Sequence, residues 1–199
     1  MTAILFVDCE TSDLLKRDLA LDDLSQPWCV SIAAVLAVPG RPDQEINLPI
    51  RAEGRKIRAG AEAVHGVSSR EAAKHGVPEV AVLAVLCWLA AQAECVVGHG
   101  IGFDRDVVTS VLMRRGKDSR LWTRPGLTFH DTMKLATPFC RIPSVFDDGG
   151  FKWPSLDEAS SILLGEPPRA GEHSAKDDLQ RTRRLWAWLC DHNAVETAA

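Results

Sequence analysis

Two carboxylates separated by a single residue follow a short apolar segment near the start of the chain. Residues 3–7 are all apolar, and Asp8 and Glu10 come directly after them. Short apolar segments bounded by polar residues are typical of buried strands, and side chains two positions apart on a strand share one face. Two ionised carboxylates held side by side there repel each other unless a cation joins them. The spacing therefore fits a divalent metal site, and it fits equally a strand that ends in two solvated acids.

Two later segments also place acids where a sheet should meet helices. Asp104 follows a short apolar segment that ends at residues 98–100, at the start of a predicted helix. Asp178 lies on the first turns of the predicted last helix, and His173 comes just before that helix. Each has a purely structural alternative: Asp104 as a helix cap, Asp178 within a solvated charge cluster, and His173 as an ordinary loop residue. The three segments taken together favour a metal-dependent site.

These segments resemble the motifs of the DnaQ-like, DEDD-type 3′–5′ exonucleases, in the branch that carries a catalytic histidine (DEDDh). The first family motif, D-x-E-T, matches residues 8–11. The second, roughly H-N-x-x-F-D, matches residues 99–104, with Gly100 in place of the usual asparagine. The third, H-x-A-x-x-D, matches residues 173–178, and a weaker I/V-H-G-I/V segment matches residues 64–67. The matches occur in the family's order and span nearly the whole chain.

The resemblance implies hydrolysis of phosphodiester bonds from a 3′ end with two Mg²⁺ or Mn²⁺ ions. By similarity, Asp8 bridges both ions, Glu10 and Asp178 complete the first site, and Asp104 holds the second ion. Two ions about 3.5–4 Å apart can activate the attacking water and stabilise the leaving oxygen, and carboxylate oxygens suit such hard cations. His173 corresponds to the general base that deprotonates the water, a role for which histidine is suited near neutral pH.

Four further residues match family positions that line a pocket for the terminal nucleotide. They are Thr11, Val64, His65 and Phe103, of which Val64 and Phe103 have core packing as an equal alternative. The implied substrate is single-stranded or 3′-frayed DNA or RNA, bound by stacking worth about 1–3 kcal/mol per base rather than by sequence. The glycine at position 100 changes one hydrogen bond around the active site and none of the metal ligands.

The hydrophobic pattern predicts one α/β domain over residues 1–199. The resemblance implies an RNase H-like fold, with a mixed sheet of about five strands flanked by helices. The predicted strands lie near residues 3–7, 29–38, 44–51, 94–98 and 127–130, and the predicted helices cover 79–93, 104–115, 131–136, 155–165 and 174–190. The first of these helices is apolar on most sides, so we expect it to be deeply buried.

Composition bounds the class of protein. The chain of 199 residues has a formal net charge of −4 and 46% hydrophobic residues, which is ordinary for a globular protein. This balance disfavours binding of nucleic acid by bulk charge alone, although bound cations would invert the local sign. The longest apolar segment, 80–91, is too short to span a bilayer of about 30 Å. The six cysteines form no C-x-x-C pair and are scattered among apolar residues, as free buried thiols are, which favours a reducing cytoplasm. We therefore predict a soluble cytoplasmic protein without a signal peptide or membrane association.

Two other polar segments are less specific. The most basic one contains Arg114, Arg115, Lys117, Arg120 and Arg124. It could bind a phosphate backbone, but a solvated helix end is the favoured interpretation. Asp131 is placed to cap a helix, so we leave it and the preceding histidine out of the site.

Three functional alternatives stay open at this point. Nothing separates a preference for DNA from a preference for RNA. A catalytically inactive domain of the same fold, acting as a nucleic-acid-binding or interaction module, is disfavoured because all four acids and the histidine are present. A metal-dependent phosphatase acting on nucleotides is the third. The oligomeric state, monomer or homodimer, is also open.

Overall fold

The computed structural model describes residues 2–120, 122, 124–145, 149–168, 171, 173–192 and 194. Its centre is a five-stranded mixed sheet in the order β3-β2-β1-β4-β5. The strands are β1 (Ile4–Thr11), β2 (Cys29–Ala37), β3 (Gln44–Pro49), β4 (Cys95–Gly98) and β5 (Thr128–Asp131). The first three form an antiparallel meander, and β4 and β5 run parallel to β1. The predicted mixed sheet is confirmed.

Helices flank this sheet in the described part of the chain. They are α1 (Ala59–His65), α2 (Ser69–His75), α3 (Glu79–Gln92), α4 (Ile101–Arg114), α5 (Thr132–Cys140), α6 (Leu156–Ala159) and α7 (Ala175–Asp191). A π-helical turn at Ser160–Leu164 continues α6 as far as Gly165. The capping box predicted at Ser155 and Glu158 opens α6 as expected.

The alternation of side chains along β1 decides what the acids of that strand face. Leu5 and Val7 point to the larger core, which they share with residues of α3 and α4 such as Leu86 and Val107. Phe6 points to the opposite face, where it packs with Leu179 of α7. Since side chains two apart share a face, the acids at positions 8 and 10 lie on the α7 side of the sheet.

Several predicted elements differ from the observed ones. Helices α1 and α2 were not predicted. Helix α3 is not buried on all sides, because Val80, Val85 and Trp88 are exposed. Helix α4 begins at Ile101, so Asp104 lies inside its first turn and is not its cap. Helix α5 continues beyond residue 136 and contains Pro138 in its last turn, where only one carbonyl loses its helical partner.

Candidate functional site

Three of the predicted acids meet at the end of β1. Asp8, Glu10 and Asp178 each offer a carboxylate oxygen, and these atoms all lie within 4.8 Å of one another. All three side chains are half-buried. The sequence produces this meeting because Asp8 and Glu10 share a face of β1, and because Leu179 packs the first turns of α7 against that same face.

Asp104 approaches the same strand from the other side. It lies in the first turn of α4, is only 5% exposed, and its Oδ1 accepts a hydrogen bond of 3.1 Å from the backbone N–H of Cys9. Burial raises the pKa of Asp104 to about 7, and the negative charge of Glu10 adds to this effect. No lysine or arginine of the described residues lies within 4 Å of its carboxylate. Asp104 thus contacts the backbone between Asp8 and Glu10, outside the group of three.

His173 lies against this group of acids. Its Nδ1 is 3.6 Å from Oδ2 of Asp178, and its backbone N–H donates to the carbonyl of Val64 over 2.9 Å. Ser174 caps α7 through a hydrogen bond from the backbone N–H of Asp177. This cap fixes the start of α7, directly after His173. His173 itself contacts a carboxylate of the group through its side chain and α1 through its backbone.

A cavity of about 540 Å³ opens beside Glu10. Its lining residues are Glu10, Thr11, Asp13, Leu14, Arg58, Gly60, Ala61, Val64 and His65. Three of the four predicted nucleotide-contacting residues, Thr11, Val64 and His65, are therefore brought together. Phe103 is not among the lining residues and packs against the larger core, as the packing alternative anticipated.

His65 also has a structural task in the wall of this cavity. It is buried at the end of α1, and its Nδ1 accepts a hydrogen bond of 3.1 Å from the backbone N–H of Val67. Between them Gly66 adopts φ 71°, the left-handed conformation that commonly ends a helix. The histidine thus holds the turn that terminates α1.

The unusual glycine of the second motif has a conformational explanation. Gly100 precedes α4 with φ 75°, a region that glycine adopts freely and that asparagine tolerates better than most residues. Its N–H donates to Oδ1 of Asp131 over 2.8 Å, and the same oxygen accepts from the backbone N–H of Met133 over 3.1 Å. Asp131 therefore caps α5 as predicted, and it also fixes the backbone before Asp104.

His99 of the same motif is held by hydrogen bonds at both ring nitrogens. Nδ1 lies 3.0 Å from Oγ1 of Thr132, and Nε2 lies 3.0 Å from the carbonyl of Pro154. Burial lowers the pKa of His99. Its ring thus connects the ends of β4 and β5 to the segment that precedes α6, a role that sequence reasoning missed.

The basic segment at the end of α4 is engaged within the protein. Arg114 donates to the carbonyls of Gln26 and Pro27, both over 2.6 Å. Arg115 forms ion pairs with Glu53 and Glu79. Arg120 pairs with Asp118, and Arg124 donates to the carbonyl of Ala93. Most of the segment is therefore neither a phosphate-binding surface nor a merely solvated helix end. Sequence reasoning also missed the buried Glu79, since its partners are distant in sequence.

Comparison with solved structures identifies the fold. Escherichia coli exonuclease I in complex with a dT13 oligonucleotide superposes with a TM-score of 0.72 at 19% identity, over 96% of this chain and 41% of that chain. A product-bound exonuclease I superposes with a TM-score of 0.71 at 20% identity, over 96% and 44%. An apo exonuclease I gives 0.64 at 17% identity, over 96% and 45%. The chain thus has the RNase H-like fold, in the form found in an exonuclease.

The limits of this likeness are equally definite. The chain spans less than half the length of the exonuclease I chains that it matches. Its sequence matches no protein-family model and has no significant match among curated proteins. Within the described residues, no helix has the length and apolar character needed to cross a membrane.

Proposed function

We propose that this protein is a 3′–5′ exonuclease of the DEDDh type, acting on single-stranded or 3′-frayed DNA or RNA. The observation that carries the proposal is the approach of three carboxylates to within 4.8 Å beside a cavity of about 540 Å³. The fold is that of an exonuclease solved with single-stranded oligonucleotides. We assign the whole of residues 1–199 to one domain, including the positions at both ends and in the internal gaps that lie outside the described part.

The donor set fits two divalent cations such as Mg²⁺ or Mn²⁺. Oxygen donors from Asp8, Glu10 and Asp178 are the ligands that hard cations prefer. Asp104, buried without a lysine or arginine partner among the described residues, would join Asp8 in holding the second ion. When bound, two such ions supply a nucleophilic hydroxide and stabilise the leaving 3′ oxygen.

The protein's own groups would place the substrate and move one proton. Thr11, Val64 and His65 line the cavity that would take the terminal nucleotide, so the adjoining phosphodiester reaches the carboxylates. His173, beside Asp178, would accept the proton of the attacking water as a general base. The carbonyl of Val64 holds the backbone of His173, which joins the wall of the cavity to the base.

Hydrolysis of a 5′-labelled oligonucleotide, with Mg²⁺ and with excess chelator, tests the proposal. Asp8→Ala and Asp178→Asn should abolish the Mg²⁺-dependent ladder of products while the proteins stay folded. Asp177→Asn is the matched control, because Asp177 is the exposed neighbour of Asp178 on the same helical turn. It should retain nearly full activity. Undiminished hydrolysis by Asp8→Ala, or in chelator, would refute the metal assignment.

The direction of cleavage is tested with altered ends. Release of mononucleotides should require a free 3′ hydroxyl, so a 3′-phosphorylated strand and a circular single strand should resist. Rapid cutting of the circle would identify an endonuclease instead. Parallel DNA and RNA strands in the same assay decide the preference that the sequence left open, and release of phosphate from nucleotides alone would identify the phosphatase alternative.

A further inference from the structure

Two exposed aromatic side chains lie in the segment that leads to α6. Trp153 is 62% exposed and Phe151 is 46% exposed. The segment forms a small antiparallel pairing, with a bridge between Pro143 and Phe151 and a hydrogen bond from the N–H of Lys152 to the carbonyl of Ile142. Residues 146–148, between Pro143 and Phe151 in sequence, lie outside the described part. Large aromatic surfaces kept in solvent are a common sign of a binding surface.

Phe151 and Trp153 are two residues apart in a segment whose residue 151 pairs with Pro143. Lys152 lies between them in sequence, and its Nζ pairs with Oε1 of Glu158 over 2.6 Å. In an extended segment, residues 151 and 153 therefore share a face, about 6–7 Å apart along the chain. Lys134 of α5 adds a positive charge, since its Nζ lies 5.6 Å from the centre of the Trp153 ring.

The segment that carries this aromatic pair is bonded to His99, the first residue of the motif that also contains Asp104. The carbonyl of Pro154, the residue after Trp153, is bonded to the ring of His99. His99 follows β4, and β4 lies beside β1 on the side away from β2. The cavity, in contrast, joins the end of β1 to α1. The cavity is thus lined from β1 and α1, whereas the segment with the aromatic pair is bonded to the residue that follows the neighbouring strand β4.

We infer that Phe151 and Trp153 form a stacking platform for the bases upstream of the terminal nucleotide of a single-stranded nucleic acid. The inference rests on the proposed function. A strand with its 3′ nucleotide in the cavity and its last phosphodiester at the carboxylates would meet the two rings if it continued toward the ends of β4 and β5. Aromatic faces bind successive bases without regard to sequence, and the ammonium of Lys134 beside Trp153 suits the phosphate of a stacked nucleotide.

Substrates of different length separate this platform from the catalytic site. A nitrophenyl ester of thymidine 5′-monophosphate contains one nucleotide and one scissile bond, so it reaches the carboxylates but not the platform. Trp153→Ala and Phe151→Ala should leave kcat and KM for this ester unchanged. For a fluorescent dT8 strand, binding measured in chelator should weaken roughly 5- to 100-fold, and KM with Mg²⁺ should rise in parallel.

Control variants test whether a loss of affinity comes from the missing aromatic face or from damage to the fold. Trp88, which is 56% exposed on α3, is the matched control, and Trp88→Ala should bind dT8 like the unaltered protein. Trp153→Phe should restore most of the affinity, because it keeps an aromatic face. Lys134→Gln should lower the slope of log affinity against log salt by about 0.7, the value for one phosphate contact on a single strand.

The outcomes distinguish failure of the stacking platform from failure of the proposed exonuclease activity. If the ester and dT8 are both hydrolysed but Trp153→Ala binds dT8 within twofold of the unaltered protein, the platform is refuted and the exonuclease stands. Equal weakening for the ester and for dT8 also refutes it, since the effect then does not depend on strand length. If neither substrate is hydrolysed or bound, the proposed function itself fails.

Discussion

Two buried carboxylates in this protein occupy equivalent places and are treated in opposite ways. Glu79 and Asp104 each lie in the first turn of a 14-residue helix, α3 and α4, and they are 1% and 5% exposed. Glu79 forms ion pairs with Arg55 over 2.6 Å and with Arg115 over 2.7 Å. Asp104 receives a backbone hydrogen bond from Cys9 and, among the described residues, no ion pair.

The negative charge of Glu79 is neutralised by arginines of the protein. The carboxylate of Asp104 has no such partner among the described residues, and a bound cation could neutralise it. A buried charge is costly unless it is paired. The arginines around Glu79 make it part of the scaffold that joins α3 and α4. Asp104 lies next to further acids at the end of β1, an arrangement that stores electrostatic repulsion and that a divalent cation would relieve. Carboxylates with a raised pKa, such as Asp104, cluster at functional sites.

After the loss of a metal ligand, His173→Ala should show the largest effect on turnover, and it should leave the scaffold intact. A general base contributes about 10²–10⁴-fold to turnover, so kcat should fall by that factor, and the acid limb of the pH–rate profile should disappear. Mg²⁺ should still raise the melting temperature, because the four carboxylates remain. His75→Ala, in the exposed last turn of α2, is the control. Near-normal turnover with an unchanged pH profile would make His173 a structural residue.

Glu79→Gln should lower the stability of the protein and leave its turnover unchanged, the opposite of what we expect for His173→Ala. Removing one partner of a buried ion pair costs about 3–5 kcal/mol. We expect about 3 kcal/mol in the free energy of unfolding, because Arg55 and Arg115 are partly exposed and can reach water. Turnover per folded molecule should not change. The control is Glu53→Gln, which removes only the outer, exposed partner of Arg115 and should cost under about 1 kcal/mol. A loss of activity without a loss of stability would contradict the scaffold role.

Sequence reasoning anticipated the acidic site better than the scaffold around it. The carboxylates of β1 follow from strand alternation, and those of α4 and α7 lie near helix starts that local patterns reveal. The partners of Glu79 lie 24 and 36 residues away, and no local pattern joins them. The contact between His99 and Pro154 spans 55 residues and is invisible for the same reason. Such pairings exist only once the chain has folded.

The missed and misjudged helices have separate causes. α1 and α2 contain seven residues each, too few for a clear helical period, and α1 has no side-chain cap. The capping box of α2 at Ser68 and Glu71 was readable. The exposed face of α3 could not be predicted, because a helix that is apolar all round does not show which side the sheet covers.

Asp104→Asn should stabilise the metal-free protein in a pH-dependent way. The folded protein keeps the proton of Asp104 up to about pH 7, whereas the unfolded chain releases it near pH 4. Stability from this group is therefore present at low pH and is lost as the pH rises from about 4 to 7. An asparagine stays neutral throughout, so the variant should gain about 2–4 kcal/mol relative to the unaltered protein at pH 8 and little at pH 4. Urea unfolding in chelator at both pH values measures this.

The control for this change is Asp106→Asn, on the same helix but partly exposed and paired with Arg105, which should shift stability only slightly. Added Mg²⁺ should stabilise the unaltered protein by about 2.7 kcal/mol at a concentration 100 times its dissociation constant. It should stabilise Asp104→Asn less. If the unaltered protein and Asp104→Asn show the same dependence of stability on pH, the pKa of Asp104 is not raised in the folded protein.

Arg120→Ala should have the smallest effect, and it tests whether any of the basic segment at the end of α4 binds nucleic acid. Arg120 is highly exposed and, among the described residues, forms an ion pair with Asp118 alone, over 2.7 Å, so its removal should change the free energy of unfolding by less than about 0.5 kcal/mol. The neighbouring arginines 114, 115 and 124 are engaged by carbonyls and carboxylates of the protein. We therefore expect the affinity for dT8, and its salt dependence, to stay unchanged. A salt slope reduced by about 0.7 would mean that Arg120 contacts a phosphate, and the strand would then extend along α4 rather than toward Trp153.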